Sequence, residues 1–253
     1  MQVIDKDSHV ADKIFALVYG GSGTGKTHLM GTLGELGRVL IIDIDQGYKT
    51  IVRAPDITQA MKDNITITTF DQFGDLDKAF KLIQKNNPTE WSKALGAQID
   101  KPFEWIVWDT WSEIQWAMMQ QLRKQESLVV AAGKDIDFRK NVQIQHWGMM
   151  TDLNKLAIEQ LKGLPVHQVF TMQEKVDKNE LTQEVIKGPA IHGKMTSEMP
   201  AYFDVVVHTY ADLQGKFCAT TLPKQKWPAK TRLGVGKDYV NPTAKQIFAE
   251  GRV

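Results

Sequence analysis

The octet Gly20-Gly21-Ser22-Gly23-Thr24-Gly25-Lys26-Thr27 constrains this chain more than any other feature. It fits GxxxxGK[ST], follows an apolar run at 14–19, and opens a helix-like stretch at 26–36. Each residue type has a physical task. Glycine permits backbone turns in which successive N–H groups point inward at phosphate oxygens. The helix that begins at the loop adds the positive end of its dipole. Lys26 is long enough to reach β- and γ-phosphates, and the Thr27 hydroxyl is placed to hold Mg2+. His28, on the first turn, either touches the nucleotide or packs on the helix surface. The order strand, loop, helix separates such a phosphate cradle from a chance glycine-rich turn.

The remaining sequence supplies a matching frame. Apolar runs rich in β-branched residues at 14–19, 39–43, 105–109, 166–172 and 203–209 read as strands buried on both faces. Helix-like stretches fall between them, at 75–84, 112–124 and about 137–162. Strands alternating with helices predict an α/β fold with a mainly parallel central sheet flanked by helices, in a single domain spanning 1–253. The segments 86–104 and 125–137 read as irregular, the first as an inserted loop. Prolines, glycines and short apolar runs at 217–241 predict a C-terminal β-hairpin closing a sheet edge. A formal net charge of +1 gives the molecule no overall nucleic-acid signature, so DNA contact requires a local patch. One cysteine, Cys218, permits no internal disulfide. No apolar run reaches membrane-spanning length and the first residues are too charged for a signal peptide, so a cytoplasmic protein is expected.

Phosphate binding alone hydrolyses nothing; the metal shell needs an acid and the attacking water needs a base. Trp105-Ile106-Val107-Trp108-Asp109 is an apolar strand ending in Asp, the Walker B pattern, which gives Asp109 to the magnesium shell. The alternative is that Asp109 caps the following helix. Leu40-Ile41-Ile42-Asp43-Ile44-Asp45 ends a second strand in two acids, and period-2 alternation sets Asp43 and Asp45 on one face. Either one is a candidate base, and a solvated strand end is the plainer reading. The six histidines show no metal-ligand spacing, which leaves Mg2+ as the expected metal.

These elements, in this order, resemble the RecA-like P-loop ATPases. The resemblance implies ATP as the nucleotide and identifies Asp45, the second acid, with that family's catalytic base, although the family residue is usually Glu. It also implies that Gln173, ending Val169-Phe170-Thr171-Met172-Gln173, senses the γ-phosphate and leads into a DNA-contacting loop. Lys230-Thr231-Arg232 fits the basic pair that reaches a neighbouring subunit's nucleotide in filament-forming members, which implies a homo-oligomer. Compact phage proteins with this core, among them the ATPase branch of the Sak-type single-strand annealing proteins, are similar over about 14–241. That likeness implies single-stranded DNA as a partner and a place in the host cytoplasm.

One stretch looks like a DNA surface. Lys216, Lys224, Lys226, Lys230, Arg232 and Lys237 occur without an acid among them, with Phe217 and Trp227 interleaved. Cations release counterions from phosphates and aromatic faces stack on unpaired bases. The same lysines also suit a solvated edge hairpin, protected against edge pairing. In a third use, Arg232 acts as an arginine finger. Two function classes follow: a DNA-dependent ATPase that anneals or pairs single strands, or a nucleotide-gated assembly or loading module without DNA contact. A small-molecule kinase ranks below both, because no Arg-rich lid is visible. A GTPase is disfavoured because Asn154-Lys155-Leu156-Ala157 lacks the Asp of a base-reading motif.

Overall fold

The computed structural model describes residues 13–69, 74–130, 144–178, 185–192, 195–224 and 227–249. The strands are β1 (Phe15–Gly20), β2 (Val39–Asp43), β3 (Ile65–Thr69), β4 (Trp105–Asp109), β5 (His167–Lys178), β6 (Val185–Pro189), β7 (Val205–Ala211), β8 (Phe217–Thr220), β9 (Lys230–Thr231) and β10 (Asp238–Val240). The helices are α1 (Lys26–Gly31), α2 (Lys49–Arg53), α3 (Gln59–Asp63), α4 (Gly74–Lys85), α5 (Pro88–Leu95), α6 (Trp111–Val130), α7 (Ile144–Lys162), α8 (Met195–Glu198) and α9 (Ala244–Phe248).

The sheet runs β10-β8-β7-β1-β5-β4-β2-β3. From β7 through β3 every pairing is parallel. β8 and β10 close one edge in antiparallel pairing, and the short β9 pairs antiparallel with β7. The expected α/β fold with a mainly parallel sheet is therefore present, and the predicted terminal hairpin takes the form of this antiparallel edge.

Why the strands are apolar throughout follows from the layers. Phe15, Leu17 and Tyr19 of β1 pack on one face, with Trp108, Trp111, Phe170 and Phe203. Ile14, Ala16 and Val18 pack on the other, with Leu29, Leu33 and Ile247. Helices α4 to α8 cover the first face and α1, α2 and α9 the second. A parallel sheet sandwiched this way has no solvent face, so alternation disappears from its strands. The first core is aromatic: Phe15 stacks on Phe203 at 4.8 Å, and Trp111 meets Phe170 edge-on at 4.9 Å. Two indoles there find partners for their N–H groups, Trp108 on Gln168 at 3.2 Å and Trp111 on Asn154 at 3.0 Å.

Three local expectations change. The segment 86–104 is not merely a loop, since it contains α5. Asn87 accepts from the backbone N–H groups of Thr89 and Glu90, Pro88 opens the helix, Trp91 is buried, and Gly96 ends it in the left-handed region. The segment 125–137 begins as helix, because α6 runs on to Val130, and its later part lies outside the described residues. Strand β3 was not anticipated; its Ile65-Thr66-Ile67-Thr68-Thr69 alternates as an edge strand should. No helix among the described residues is long and apolar enough to cross a membrane.

Phe170 is fully buried among Phe15, Trp108, Trp111 and Phe203. Phe170→Ala is expected to lower the unfolding free energy by about 3–5 kcal/mol, read as a drop in the urea midpoint.

Candidate active site

The carboxyl ends of β1, β4, β2 and β5 converge on one cavity. β1 ends at Gly20, where β7 passes so closely that a Cβ on Gly20 would lie 2.2 Å from the carbonyl oxygen of Thr209. Only glycine fits there. Gly23 and Gly25 have φ of 74° and 85°, the left-handed region that side chains avoid. The loop so shaped leads directly into α1, with Gly25 as its N-cap residue. The cavity, of about 220 Å3, is lined by Ser22, Lys26, Thr27, Asp45, Asp109 and Gln173 among others.

Lys26 is buried. Its Nζ donates to the carbonyls of Gly20 at 2.9 Å and Gly21 at 2.8 Å, and to Gln173 Oε1 at 3.3 Å. Burial lowers its pKa, opposed by the nearby Asp109, Asp45 and Glu174 carboxylates. Thr27 Oγ1 donates to Asp109 Oδ2 at 2.9 Å, and the Thr171 hydroxyl donates to Asp109 Oδ1. Asp109 is buried, and burial raises its pKa against those two hydrogen bonds.

One oxygen each of Asp43, Asp45 and Asp109 fall within 4.8 Å of one another. Among the described residues this is the cluster of acids, histidines or cysteines able to share an ion. The three acids are not equivalent. Asp43 is buried and spends both oxygens on backbone, accepting from Gly47 N at 3.1 Å and Tyr48 N at 3.0 Å. Asp45 accepts only from Gly47 N, at 3.2 Å, and lines the cavity. Although its surface is exposed, the concave site strips water from it. That desolvation, then Asp109 and Asp43, pushes its pKa up to about 6. An ion of Mg2+ type fits this donor set: hard oxygen ligands, an excess of negative charge, and a hydroxyl already directed at one carboxylate.

Ser22, Gly23 and His28 line the cavity mouth. His28 contacts Asp56 at 2.9 Å on the helix surface, and its ring lies 6.0 Å from that of Phe217. Gln173 ends the apolar part of β5 at the register of Gly20, and its backbone N–H donates to Ser112 Oγ at 3.2 Å. The basic stretch does not converge on the site as a group. Lys216 is exposed, Lys224 pairs with Asp238 at 3.3 Å, and Lys226 lies outside the described residues. Trp227 is half-buried with its ring 4.9 Å from His208. Lys230 and Arg232 are on or beside β9, at the opposite end of the sheet. Arg232 pairs with Asp204 at 2.9 Å, and its N–H donates to the Asp204 carbonyl, level with Phe15. Phe15 and Gly20 are about 16 Å apart at ~3.3 Å of rise per residue, beyond the reach of this guanidinium within its own subunit.

Three participants escaped the sequence reading. Thr171 is a hydroxyl inside an apolar strand, and that oddity was its signal. Gly47 lies against the acid cluster; a Cβ there would be 3.0 Å from Asp45 Oδ1 and 3.2 Å from Thr27 Oγ1. Its signal was a glycine two residues after an acid pair. Phe217 had been grouped with the lysines, yet its ring covers the loop, 3.0 Å from where a Gly25 Cβ would lie.

A glycine-shaped loop entering α1, an acid at the end of β4, and β5 inserted between β1 and β4 form a P-loop NTPase core. The chain belongs to the AAA domain family (AAA_24), whose model matches residues 12–233. No curated protein matches it. Among solved structures, the crystal structure of the RadB recombinase is similar at 13% identity and a TM-score of 0.45, over 90% of this chain and 86% of that one.

Asp45 gives the site a pH signature. A carboxyl whose pKa is raised on folding adds stability below its unfolded value, near 4, and that stability is lost as pH rises through the folded value, about 6 for Asp45. Without Mg2+, the melting temperature of Asp45→Asn relative to the unsubstituted protein should therefore rise between about pH 4 and about pH 7, as read by scanning fluorimetry. A difference that stays flat across that window would overturn the raised pKa assigned to Asp45.

Proposed function

We propose that this chain binds and hydrolyses ATP and couples the two states of its site to single-stranded DNA, in the manner of the phage Sak-type annealing ATPases. The observation that carries the hydrolytic part is the convergence of Lys26, Thr27, Asp45, Asp109 and Gln173 on one cavity at a glycine-shaped loop. In this reading, loop N–H groups and Lys26 hold the β- and γ-phosphates, so Lys26 exchanges the Gly20 and Gly21 carbonyls for phosphate oxygens. Thr27 and Asp109 would hold Mg2+, which would supply neutralisation of charge developing on the phosphates. Asp45, with a pKa near 6, is ionised at neutral pH and takes the proton of the attacking water. Asp43, fixed by two backbone N–H groups, shapes the turn that presents Asp45. Gln173 contacts Lys26 and leads into the β5–β6 hairpin, which supports it as the reporter of the γ-phosphate.

The DNA part rests on the Sak-type resemblance and on that hairpin beyond Gln173, which carries Lys175 and Lys187. One observation favours the loading module without DNA contact: Lys224 and Arg232 of the basic stretch are paired with Asp238 and Asp204. Arg232, remote from its own loop, fits a role toward a neighbouring subunit in a homo-oligomer.

ATP turnover is expected to rise with single-stranded DNA, and DNA binding to weaken as salt increases. Unchanged turnover together with no salt-dependent binding leaves the loading module as the function. Lys26→Ala should abolish turnover, and Asp45→Asn should lower it about 100-fold or more with ATP binding retained. Arg232→Ala should be inactive alone and regain turnover on mixing with Lys26→Ala protein; absence of rescue excludes the role in trans.

A further inference from the structure

Strand β5 changes partners at Gln173. Up to that residue it lies in the parallel sheet, where Gln173 is paired with Gly20 of β1. From Glu174 onward it pairs antiparallel with β6, beginning with Glu174 opposite Pro189. The backbone of Gln173 is held at this junction by Ser112 Oγ and by the Ala190 N–H, which donates to the Gln173 carbonyl at 2.7 Å. We propose that Glu174 is a positioning residue: its carboxylate, held between β7 and β6, fixes the junction and so the pose in which Gln173 meets the γ-phosphate. The proposal rests on the reading of Gln173 as the reporter of that phosphate, and adds the group that holds the reporter in place.

Adjacent residues of a strand point to opposite faces, so Glu174 stands behind the sheet while Gln173 reaches Lys26 in front. The Glu174 side chain is 9% exposed, and each carboxylate oxygen has a partner on a different strand. Oε1 is 2.9 Å from Lys187 Nζ of β6, diagonally across the hairpin. Oε2 is 3.4 Å from Nε2 of His208 on β7. His208 is buried, and burial lowers its pKa against the pull of Glu174, so the ring is neutral at pH 7. Its Nδ1 makes no hydrogen bond among the described residues, which leaves the proton on Nε2, donated to the carboxylate. Glu174 thus bridges β6 to β7 across the place where β1 gives way to the phosphate loop. A desolvated carboxylate keeps its place through such partners. The contact it protects is narrow, since Gln173 Oε1 meets Lys26 Nζ at 3.3 Å. A pivot at 174 swings the neighbouring amide, and a displacement of about 1 Å can cost about 100-fold in rate.

The test measures ATP turnover and ATP binding for Glu174→Gln, Lys187→Met and Gln173→Ala, and for Glu174→Gln combined with Gln173→Ala, with folding checked by circular dichroism. Glu174→Gln and Lys187→Met are each expected to lower kcat about tenfold or more and to leave the ATP dissociation constant unchanged. Lys187→Met removes the tie but keeps the carboxylate, whose charge also favours the ammonium of Lys26. Should Glu174→Gln fail to fold, Lys187→Met decides alone. Added to Gln173→Ala, Glu174→Gln should cost nothing further in kcat, since its effect runs through Gln173. Full turnover by either single variant overturns the proposal. So does an undiminished further loss in the Gln173→Ala background, or a weakening of ATP binding that accounts for the lost turnover. Full turnover by Gln173→Ala is a different failure, that of the reporter reading itself.

Discussion

A single hydrogen bond, from the hydroxyl of Thr27 to the carboxylate of Asp109, ties the site together. The two residues are 82 positions apart, and the strands that lead to them, β1 and β4, are not neighbours, because β5 lies between them. The bond forms only if the parallel register is correct across three strands, so that β1, β5 and β4 end together. Thr171, on the intervening strand, donates to the other oxygen of the same carboxylate. Asp109 is thus held from both sides by hydroxyls, which orient a buried charge without neutralising it.

Charge is what this arrangement stores. Three acids crowd one corner, where desolvation and then the charges of Asp109 and Asp43 raise the pKa of Asp45, while burial lowers that of Lys26. Lys26 donates to the loop's own carbonyls. Both the excess of carboxylate and the buried ammonium are suited to a ligand that brings anionic oxygens and a divalent cation together. The hydrophobic layers make such a site sustainable, since an aromatic core on one face and aliphatic packing on the other hold the strand ends where the charges meet.

Reading the chain without coordinates went furthest where a signal was local. Val39–Asp43 and Trp105–Asp109 were legible to the residue, because doubly buried parallel strands are short, apolar and bounded. Helix α5 was missed because it is short and opens on a proline among charges; its real signal was the cap, Asn87 before Pro88. Strand β3 was missed because it is short and rich in threonine. The grouping of Phe217 with neighbouring lysines followed sequence proximity, whereas the β7–β8 pairing turns its ring onto the phosphate loop. Arg232, read as a cation for a nucleotide in its own or a neighbouring subunit, lies at the other end of the sheet from its own loop.

By itself the sequence determined the strand–loop–helix unit at Gly20–Thr27, the apolar strands and the acids that end two of them, since these depend on backbone freedom, side-chain reach and burial within a few residues. The tertiary structure decided which acid faces the cavity, which residues share it, and how far each cation lies from it. Those are matters of register and strand order, set by contacts between segments far apart in the chain, such as Gly20 against Thr209 and Thr171 against Asp109. No local pattern encodes them, because a strand's neighbours are chosen by the whole sheet.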